Sequence, residues 1–327
     1  MVTTAGMHSA SPQAKSRAIV CVVGPTASGK TDLAQDLAIH LDGEVVSADS
    51  MQIYHGMDIG TGKIAPCDRR VAHYGIDIVD PGDAFSAALY QTYARTCFAD
   101  IHARGKRIIV CGGTGFYVRA AIDKYDFPKG EQINNPIREE CNNIARQQGA
   151  MALWELLQAR DSASAAIIPP NDVKRVSRAF ELLAEGTTYA QQKSRLAHIE
   201  PLYPAVWIGL EVSPDILRQR IDDRVDSMIE NGLVQEVQTL LDKGLREALT
   251  ANQAIGYKEI VSALDGIITL DEAIDQIKTA THRYAKRQRT WFRKEKRIRW
   301  IPADDGNEQR ILSEAFALID HCEWSET

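Results

Sequence analysis

Short apolar runs recur along the chain at positions that predict buried β-strands. The runs are AIVCVV at 18–23, EVVSA at 44–48, GIDIV at 75–79, RIIVC at 107–111 and AVWIGLEV at 205–212. Continuous apolar strands that alternate with helical segments are typical of a parallel sheet with helices on both faces. The sequence therefore predicts an α/β fold with a doubly wound parallel sheet, whose ligand crevice lies at the carboxyl ends of the strands.

Helical periodicity fills most of the intervals between these runs. The segment SAALYQTYARTCFADIHARG predicts a helix over 86–105 that ends at Gly105. Further along, Ser213 and Pro214 supply a cap residue and a first-turn proline for a helix over 214–231. The elements after 213 are predicted to be mainly helical.

The alternation of strands and helices stops in the middle of the chain. Residues 124–200 read as helices and loops without a convincing strand, which predicts a helical insertion domain. The α/β core is then formed by 18–123 together with 201–327, the latter ending in basic helices. Residues 1–17 are small and polar, which predicts a flexible N-terminal tail.

A phosphate-binding motif follows the first predicted strand directly. The sequence GPTASGKT matches the P-loop pattern, in which backbone N–H groups and the following helix N-terminus wrap phosphate oxygens. Lys30 adds a full positive charge, and the Thr31 hydroxyl suits Mg²⁺, the one cofactor that the sequence predicts. The predicted phosphate-binding residues are Gly24, Pro25, Thr26, Ala27, Ser28, Gly29, Lys30 and Thr31.

The P-loop leaves open which chemistry follows, and two acids compete for a role beside it. Asp49 ends the second predicted strand and Asp80 ends the third. Either one suits a Mg²⁺ partner or a loop cap. Ser50, Gln52 and Tyr54 surround Asp49 with hydrogen-bonding groups, so that carboxylate is also suited to accept a proton from a bound acceptor.

Composition places the chain among globular proteins and narrows its partners. The 327 residues are 44% hydrophobic, and no apolar run approaches the length that spans a bilayer. No signal-peptide core is evident, so the predicted location is the cytoplasm, with no membrane partner. Six scattered cysteines show no zinc-type spacing. No protein partner is implied.

The charge is unevenly distributed, and this asymmetry keeps a nucleic-acid partner possible. The formal net charge is −6, yet residues 283–299 hold nine Lys or Arg and one Glu. Such a segment suits a polyanion. Three- and four-residue spacing predicts a C-terminal helix whose core-facing stripe comprises Ile274, Ile277, Thr281, Tyr284, Gln288 and Trp291. Three basic residues that lie off the stripe are Arg283, Lys286 and Arg287.

The motifs taken together resemble one family along nearly the whole chain. GPTASGKT, SADSMQIYHGMDIGTGK, HYGIDIVDPGDAFSAALY and GGTGFYVRA occur in the order found in bacterial tRNA dimethylallyltransferases, the tRNA isopentenyltransferases. The similarity continues through NDVKRVSRAFEL, RQRIDDRVDSMIENGLVQEV, AIGYKEI and RYAKRQRTWFRK, and it covers 18–301. The segment DSMQ with GMDIGT is the most diagnostic part.

This resemblance implies transfer of a prenyl group. The family moves the dimethylallyl group from dimethylallyl diphosphate to N6 of the adenosine 3′-adjacent to the anticodon and releases pyrophosphate. The implied partners are dimethylallyl diphosphate and the anticodon stem-loop of tRNA. The residues that match the family's catalytic positions are Asp49, Thr114, Lys30, Arg220 and Arg224, with the two arginines as a pyrophosphate clamp.

The resemblance also implies a set of tRNA contacts spread over the chain. On a predicted helix over 172–185, three basic residues alone would suit a solvated surface, and only the family match assigns them to RNA. The implied tRNA-binding residues are Asp49, Ser50, Met51, Gln52, Thr114, Lys174, Arg175, Val176, Ser177, Arg178, Gln253, Gly256, Tyr257, Lys258, Arg283, Lys286 and Arg287.

Other functions remain compatible with the same motifs. A P-loop nucleotide or small-molecule kinase would use GPTASGKT and the RxxxR pattern of Arg220 and Arg224 on the predicted helix 214–231 to transfer a phosphoryl group. A prenyltransferase acting on free adenine nucleotides would share the early motifs, and a non-catalytic RNA-binding module would not need Asp49. The basic C-terminal segment and the sizeable insertion favour tRNA over a free nucleotide.

Overall fold

The structure is a computed structural model, and it describes residues 18–127, 135–197, 199–248 and 250–321. These residues form two compact units. One consists of the chain up to Ile122 and from Leu202 onward, and the other of Asp123–Pro201. The segment predicted to be an N-terminal tail, 1–17, lies outside the described residues.

A parallel six-stranded sheet forms the centre of the first unit, which confirms the predicted doubly wound fold. Its order is β3-β2-β4-β1-β5-β6, and every pairing is parallel. The P-loop strand therefore lies inside the sheet, where the chain reverses its direction of winding. The strands are β1 (Ile19–Val23), β2 (Gly43–Ser47), β3 (His73–Tyr74), β4 (Arg107–Gly112), β5 (Ala205–Glu211) and β6 (Ile298–Pro302).

The third strand lies earlier than the apolar run at 75–79 predicted. The strand β3 ends just before that run, and Val79 makes only an isolated bridge to Tyr54. Gly75 has φ of 77° and Asp77 has φ of 53°, so the backbone leaves the extended region twice within the run. The predicted position of this strand is wrong for that reason.

The helices cover both faces of the sheet and build the second unit. In chain order, those before the second unit are α1 (Lys30–His40), α2 (Ala87–Ala103) and α3 (Gly115–Ile122). The second unit contains α4 (Pro136–Gln148), α5 (Ala150–Arg160), α6 (Ser162–Ala165), α7 (Val173–Ala184) and α8 (Tyr189–Ala197). The remaining helices are α9 (Pro214–Glu230), α10 (Leu233–Asp242), α11 (Tyr257–Leu264), α12 (Leu270–Phe292) and α13 (Glu308–Asp320). None of these helices in the described residues has the length and apolarity that crossing a bilayer requires.

Local sequence signals explain where the helices near the sheet's carboxyl edge begin. Pro214 occupies the first turn of α9, with Ser213 at the N-cap position as predicted. Thr269 and Glu272 form a capping box that starts α12, the longest described helix. Ser86 caps α2 by accepting a hydrogen bond from the amide of Leu89.

The core of the first unit lies on both faces of the sheet, as the continuous apolar strands require. Along β1, Val20 and Val22 pack on one side with residues of α1 and α9. Ile19, Cys21 and Val23 pack on the other side with residues of α2 and α3. Because both faces are covered, the end of β1 is held firmly where the P-loop begins.

The second unit has an apolar core of its own, and this changes two predicted RNA contacts. Val176 lies in that core and is fully buried, and Ser177 is 2% exposed. Both follow from the amphipathic pattern of α7, which turns these positions inward. The side chains of Val176 and Ser177 are therefore not exposed to tRNA in this structure, and their contact with tRNA stays a prediction.

Candidate active site

The P-loop joins β1 to α1 in a conformation that its glycines permit. Gly29 has φ of 86° and precedes the first residue of α1. At Gly24 an added Cβ would come within 2.9 Å of Ser28 Oγ, so the loop closes too tightly there for a larger residue. The Nζ atom of Lys30 donates to the carbonyl oxygen of Pro25 at 3.1 Å. The backbone of the loop thus wraps around the ammonium group of Lys30.

A cavity of about 320 Å³ opens beside this loop. It is lined by the P-loop, by the segment that follows β2, and by residues of α9 and α12, all within the first unit. The predicted site residues that line it are Thr26, Lys30, Thr31, Asp49, Ser50, Met51, Gln52, Arg224, Gln253, Gly256 and Arg287. The carboxyl edge of the sheet is therefore the candidate active site, as the fold predicts.

Charged groups inside this cavity favour an anionic ligand. Burial lowers the pKa of Lys30, while the nearby Asp49 acts in the opposite direction. Burial also lowers the pKa of Arg224, again offset by Asp49. Two desolvated cations near one carboxylate leave positive charge in the cavity. A bound anion such as diphosphate would stabilise the charged forms of Lys30 and Arg224.

The structure separates the two rival acids. Asp49 lines the cavity, and its Oδ1 atom accepts a hydrogen bond from the amide of Met51 at 2.9 Å. Asp80 is exposed, and its amide donates to Asp83 Oδ2 at 3.1 Å in a turn. Only Asp49 is therefore placed to act on a molecule bound beside the P-loop.

Hydrogen bonds fix the groups that surround Asp49. The amide of Ser50 donates to Thr114 Oγ1 at 3.2 Å, which ties the turn after β4 to the end of β2. Ser47 donates to Gln52 Oε1 at 3.1 Å, and Gln52 Nε2 donates to the carbonyl oxygen of Gly62 at 3.4 Å. The predicted residues Ser50 and Gln52 thus line the cavity, whereas Thr114 does not line it and is bonded to Ser50.

The predicted arginine pair is divided. Arg224 lines the cavity, where its Nη2 atom donates to the carbonyl oxygen of Gly62 at 3.4 Å. Arg220 donates from Nη2 to the carbonyl oxygens of Ala303 and Asp304, each at 3.0 Å, and it does not line the cavity. The two arginine side chains start one helical turn apart but lie in different environments. The structure therefore does not form the paired clamp that the four-residue spacing predicted.

The stretch at the start of α11 also differs from its prediction. Tyr257 is fully buried and its hydroxyl donates a hydrogen bond to Glu236 Oε1 at 2.6 Å, so this side chain is not exposed to tRNA in this structure, and its contact with tRNA stays a prediction. Gly256 is buried and lines the cavity. Gln253 and Lys258 are exposed, as an RNA contact requires.

Basic residues predicted to contact RNA lie on both units. On α12, Arg283, Lys286 and Arg287 are all exposed, and the guanidinium carbon of Arg287 lies 5.6 Å from the ring centre of Tyr284. On α7 of the second unit, Lys174 and Arg175 are exposed. Arg178 is half-buried and bonded to the carboxylates of Glu181 and Glu185.

Several residues at the cavity were not predicted as site residues. His73 from β3 and Cys111 from β4 both line it. Burial raises the pKa of the Cys111 thiol to about 12, so the thiol is neutral near pH 7. Tyr284 and Gln288 also line the cavity, although the sequence placed them only on a core-facing stripe. The signal in the sequence was that both side chains carry polar groups although their spacing places them on an apolar stripe.

Glu236 on α10 is a further residue that sequence patterns did not single out. Its carboxylate accepts hydrogen bonds from three consecutive amides, those of Asp58, Ile59 and Gly60, at 3.0, 2.8 and 3.2 Å. This carboxylate holds the GMDIGT segment, whose last residue, Thr61, lines the cavity together with the next residue, Gly62. An acid that caps a distant loop leaves no periodic trace in a sequence.

The oxygen groups at the P-loop fit a phosphate-bound Mg²⁺ ion. Among the described residues, no group of three or more His, Cys, Asp or Glu side chains is arranged to hold a metal by itself. Mg²⁺ commonly takes one or two protein oxygens together with substrate phosphates and water. Thr31 supplies such a hydroxyl at the cavity wall, so the residues present fit that mode.

The fold and the cavity define a P-loop α/β protein with an acid and an arginine facing its phosphate site. A family model described as IPP transferase matches residues 52–295, and a model described as isopentenyl transferase matches residues 17–72. Since the first of these covers most of the chain, the chain belongs to the IPP transferase family.

Individual relatives agree with this assignment. The tRNA dimethylallyltransferase of Geobacillus thermodenitrificans (strain NG80-2) is 46% identical over 307 residues, which cover 92% of this chain and 96% of the relative. The tRNA dimethylallyltransferase 2 of Syntrophus aciditrophicus (strain SB) is 44% identical over 304 residues, with 92% and 96% covered.

Solved structures show the same similarity in three dimensions. The tRNA isopentenylpyrophosphate transferase of Bacillus halodurans superposes with a TM-score of 0.69 at 39% identity, covering 93% of this chain and 97% of that one. A eukaryotic dimethylallyltransferase acting on tRNA gives a TM-score of 0.78 at 27% identity, with 94% and 81% covered. The predicted family resemblance is confirmed.

Proposed function

We propose that this protein transfers the dimethylallyl group of dimethylallyl diphosphate to N6 of the adenosine 3′-adjacent to the anticodon in tRNA and releases pyrophosphate. The observation that carries this proposal is the shared cavity, where a P-loop lysine and Arg224 face the same space as the carboxylate of Asp49. Family membership supports the same reaction.

The cations of the cavity would act on the leaving group. During transfer the C–O bond between the prenyl carbon and the diphosphate breaks, and negative charge collects on the departing oxygens. Lys30, Arg224 and the P-loop amides are preorganised to stabilise that charge in a desolvated site. The phosphate that the P-loop holds would therefore leave with the diphosphate, and no phosphoryl group would be transferred.

Asp49 would act on the nucleophile. The exocyclic amine of adenine is a weak nucleophile because its lone pair is delocalised into the ring. As the new C–N bond forms, the amine loses a proton, and a carboxylate oxygen of Asp49 would accept it. General-base assistance of this kind contributes roughly 10²- to 10⁴-fold. Ser50 and Gln52 line the cavity and offer hydrogen bonds with which to orient the adenine, and Thr114 holds Ser50 in place.

The hydroxyl of Thr31 would hold Mg²⁺ together with the diphosphate oxygens. When bound, the ion neutralises part of the charge on the leaving group. The protein's own part is to present Thr31 and the P-loop amides at the cavity wall.

The acceptor would have to leave its stack to reach the cavity. A base within a structured RNA loop is extracted before chemistry takes place on it, and RNA-binding proteins mostly recognise such splayed bases. The exposed basic residues of α12, Arg283, Lys286 and Arg287, would contact the anticodon stem-loop near the cavity mouth. A tRNA substrate also agrees with the expected cytoplasmic location.

One incubation separates this function from its rivals. The purified protein is mixed with unmodified tRNA, free AMP, Mg²⁺ and either dimethylallyl diphosphate or ATP, and the tRNA nucleosides and the free nucleotides are analysed by mass spectrometry. We expect one adenosine per tRNA to gain a five-carbon unit with the prenyl donor and no change with ATP. ADP formation would indicate a kinase. Prenylation of free AMP but not of tRNA would indicate the nucleotide-directed enzyme.

A further inference from the structure

Gln288 is a buried polar residue on the face of α12 that packs against the sheet's carboxyl edge. It is 5% exposed. Its Oε1 atom accepts a hydrogen bond from the amide of Thr26 at 2.9 Å, and its Nε2 atom donates to the carbonyl oxygen of Gly113 at 3.1 Å. Both partners are main-chain groups, so this side chain fixes backbone geometry.

One of those main-chain groups belongs to the phosphate cradle. Thr26 is the third residue of the P-loop motif, and it lines the cavity together with Lys30 and Thr31. P-loop amides are the groups that normally point at phosphate oxygens. Gln288 engages the amide of Thr26 from outside the loop and thereby sets where the entrance of the cradle lies.

The other partner, Gly113, leaves space for the side-chain amide of Gln288. A Cβ added to Gly113 would lie 2.2 Å from Gln288 Nε2, so only glycine leaves room for this contact. The turn after β4 and the P-loop are thus joined through one side chain of α12.

The same helix reaches the acceptor side of the cavity. Tyr284, one turn before Gln288, lines the cavity. Thr114, which follows Gly113 directly in the chain, accepts a hydrogen bond from the amide of Ser50 at 3.2 Å. The contacts of Ser50 with Thr114, of Gly113 with Gln288 and of Gln288 with Thr26 therefore link the surroundings of the general base to the P-loop.

We infer that Gln288 is a positioning residue that holds the P-loop in its diphosphate-binding geometry from α12. This inference rests on the proposed function, because it concerns the leaving-group half of that reaction. If Gln288 merely filled the core, an apolar side chain of equal length would replace it well. Replacement instead leaves a part-buried N–H and a buried C=O without their partner, and the loop would relax to recover those bonds.

The variant Gln288→Met tests this directly, because methionine keeps the length of the side chain and removes both hydrogen bonds. Inorganic pyrophosphate binding in the presence of Mg²⁺ is measured by calorimetry, and tRNA binding by filter retention. We expect the Kd for pyrophosphate to rise on the order of tenfold, the effect of losing one or two net hydrogen bonds. The KM for dimethylallyl diphosphate should rise similarly, with kcat and the Kd for tRNA changed by less than about threefold.

Two further variants make the result unambiguous. Gln276→Met makes the same substitution at an exposed position of α12 and should change nothing. Gly113→Ala leaves Gln288 in place but displaces its amide, and it should reproduce the selective loss of pyrophosphate affinity even if Gln288→Met fails to fold.

The outcomes separate this inference from the function on which it rests. If the unaltered protein binds no pyrophosphate, the proposed function fails. If it binds pyrophosphate and both Gln288→Met and Gly113→Ala bind equally well, only the positioning role is overturned. An equal loss of pyrophosphate and tRNA affinity would also overturn it, because that pattern indicates a general loosening of α12.

Discussion

Asp49, Lys30 and Arg224 are the three charged residues on which the proposed chemistry depends. Each comes from a different element, and the sheet's carboxyl edge brings all three to one cavity. Their separation of roles follows from charge: the carboxylate can accept a proton, and the cations can stabilise a departing anion. Substitutions at these positions should therefore fail in different ways.

Replacing the general base should remove chemistry and leave binding intact. Asp49→Asn keeps an oxygen to accept from the Met51 amide, so the local backbone should stay in place. We expect kcat to fall roughly 10²- to 10⁴-fold, while the Kd for tRNA stays within a few-fold. Single-turnover assays with saturating donor measure the first and filter binding the second. Asp68→Asn, at an exposed acid, is the control, and an unchanged kcat in Asp49→Asn would remove Asp49 from the mechanism.

The two arginines of α9 should differ sharply. Arg224→Ala removes a cation from the cavity, and we expect the KM for dimethylallyl diphosphate to rise about 10- to 100-fold, as for a lost charge-assisted hydrogen bond. Arg220→Ala serves as the matched control, because Arg220 bonds to backbone after β6 and does not line the cavity. Equal rises in the two variants would restore the paired clamp that the spacing predicted.

Sequence patterns singled out these charged residues but could not say which neighbours share a cavity. A four-residue spacing places Arg220 and Arg224 along one side of a helix, yet their surroundings depend on packing by β6 and the GMDIGT segment. Likewise, Tyr257 looks available in the sequence AIGYKEI, and only the structure shows its ring against Gly60 and its hydroxyl on Glu236.

Among the elements, α10 holds a distant loop segment through a single carboxylate. Glu236 accepts hydrogen bonds from three main-chain amides just before Thr61 and Gly62. The segment therefore depends on a helix far from it in sequence. Three N–H groups satisfied by one carboxylate form an anion-binding nest made within the protein itself.

Removing that carboxylate should loosen the segment locally. In Glu236→Ala we expect the amides of Asp58, Ile59 and Gly60 to exchange hydrogen about tenfold faster or more, since their acceptor is lost. Exchange in β1 and β4 should be unaffected. Hydrogen exchange with mass spectrometry measures this, with the exposed Gln238→Ala as control. Unchanged protection at 58–60 would show that Glu236 does not hold the segment.

The helix α12 carries different side chains on two faces. Its inward face carries Tyr284 and Gln288 at the cavity, and its outward face carries the exposed Arg283 and Lys286. If the outward face contacts RNA as proposed, binding should depend on salt, because neutralising phosphates releases counterions.

Charge removal from that outward face should reduce the salt dependence of tRNA binding. For each of Arg283→Ala and Lys286→Ala, we expect the slope of log K against log salt to fall by about 0.7 if a single-stranded phosphate is contacted. Pyrophosphate affinity should not change. Lys243→Ala, on the exposed end of α10, is the control. Slopes identical to that of the unaltered protein would exclude both residues from the RNA contact.

Element prediction succeeded where periodicity was strong and failed at short or interrupted strands. The helices at 214–230 and 173–184 begin and end close to their predicted bounds because caps and amphipathic stripes mark them. β6 was not predicted, since its five residues, IRWIP, begin within the basic segment 283–299 and include an arginine and a proline. Its place in the sheet depends on pairing with β5.

For the whole molecule, the fold class and family were predictable from the order of the motifs along the chain. The parallel sheet, the crevice at its carboxyl edge and the family all agree with the sequence-based expectation. The structure shows two compact units. That these units are independent domains, an α/β core and a helical insertion, stays a prediction.

A double-label transfer experiment tests most directly whether the P-loop holds a leaving group. Dimethylallyl diphosphate carrying one radiolabel in its prenyl carbons and another in its phosphorus is incubated with the protein, tRNA and Mg²⁺. The proposed reaction predicts that the carbon label enters tRNA, that the phosphorus label appears only in free pyrophosphate, and that the two are produced in equal amounts. Phosphorus label in the tRNA, or pyrophosphate release without carbon transfer, would contradict it.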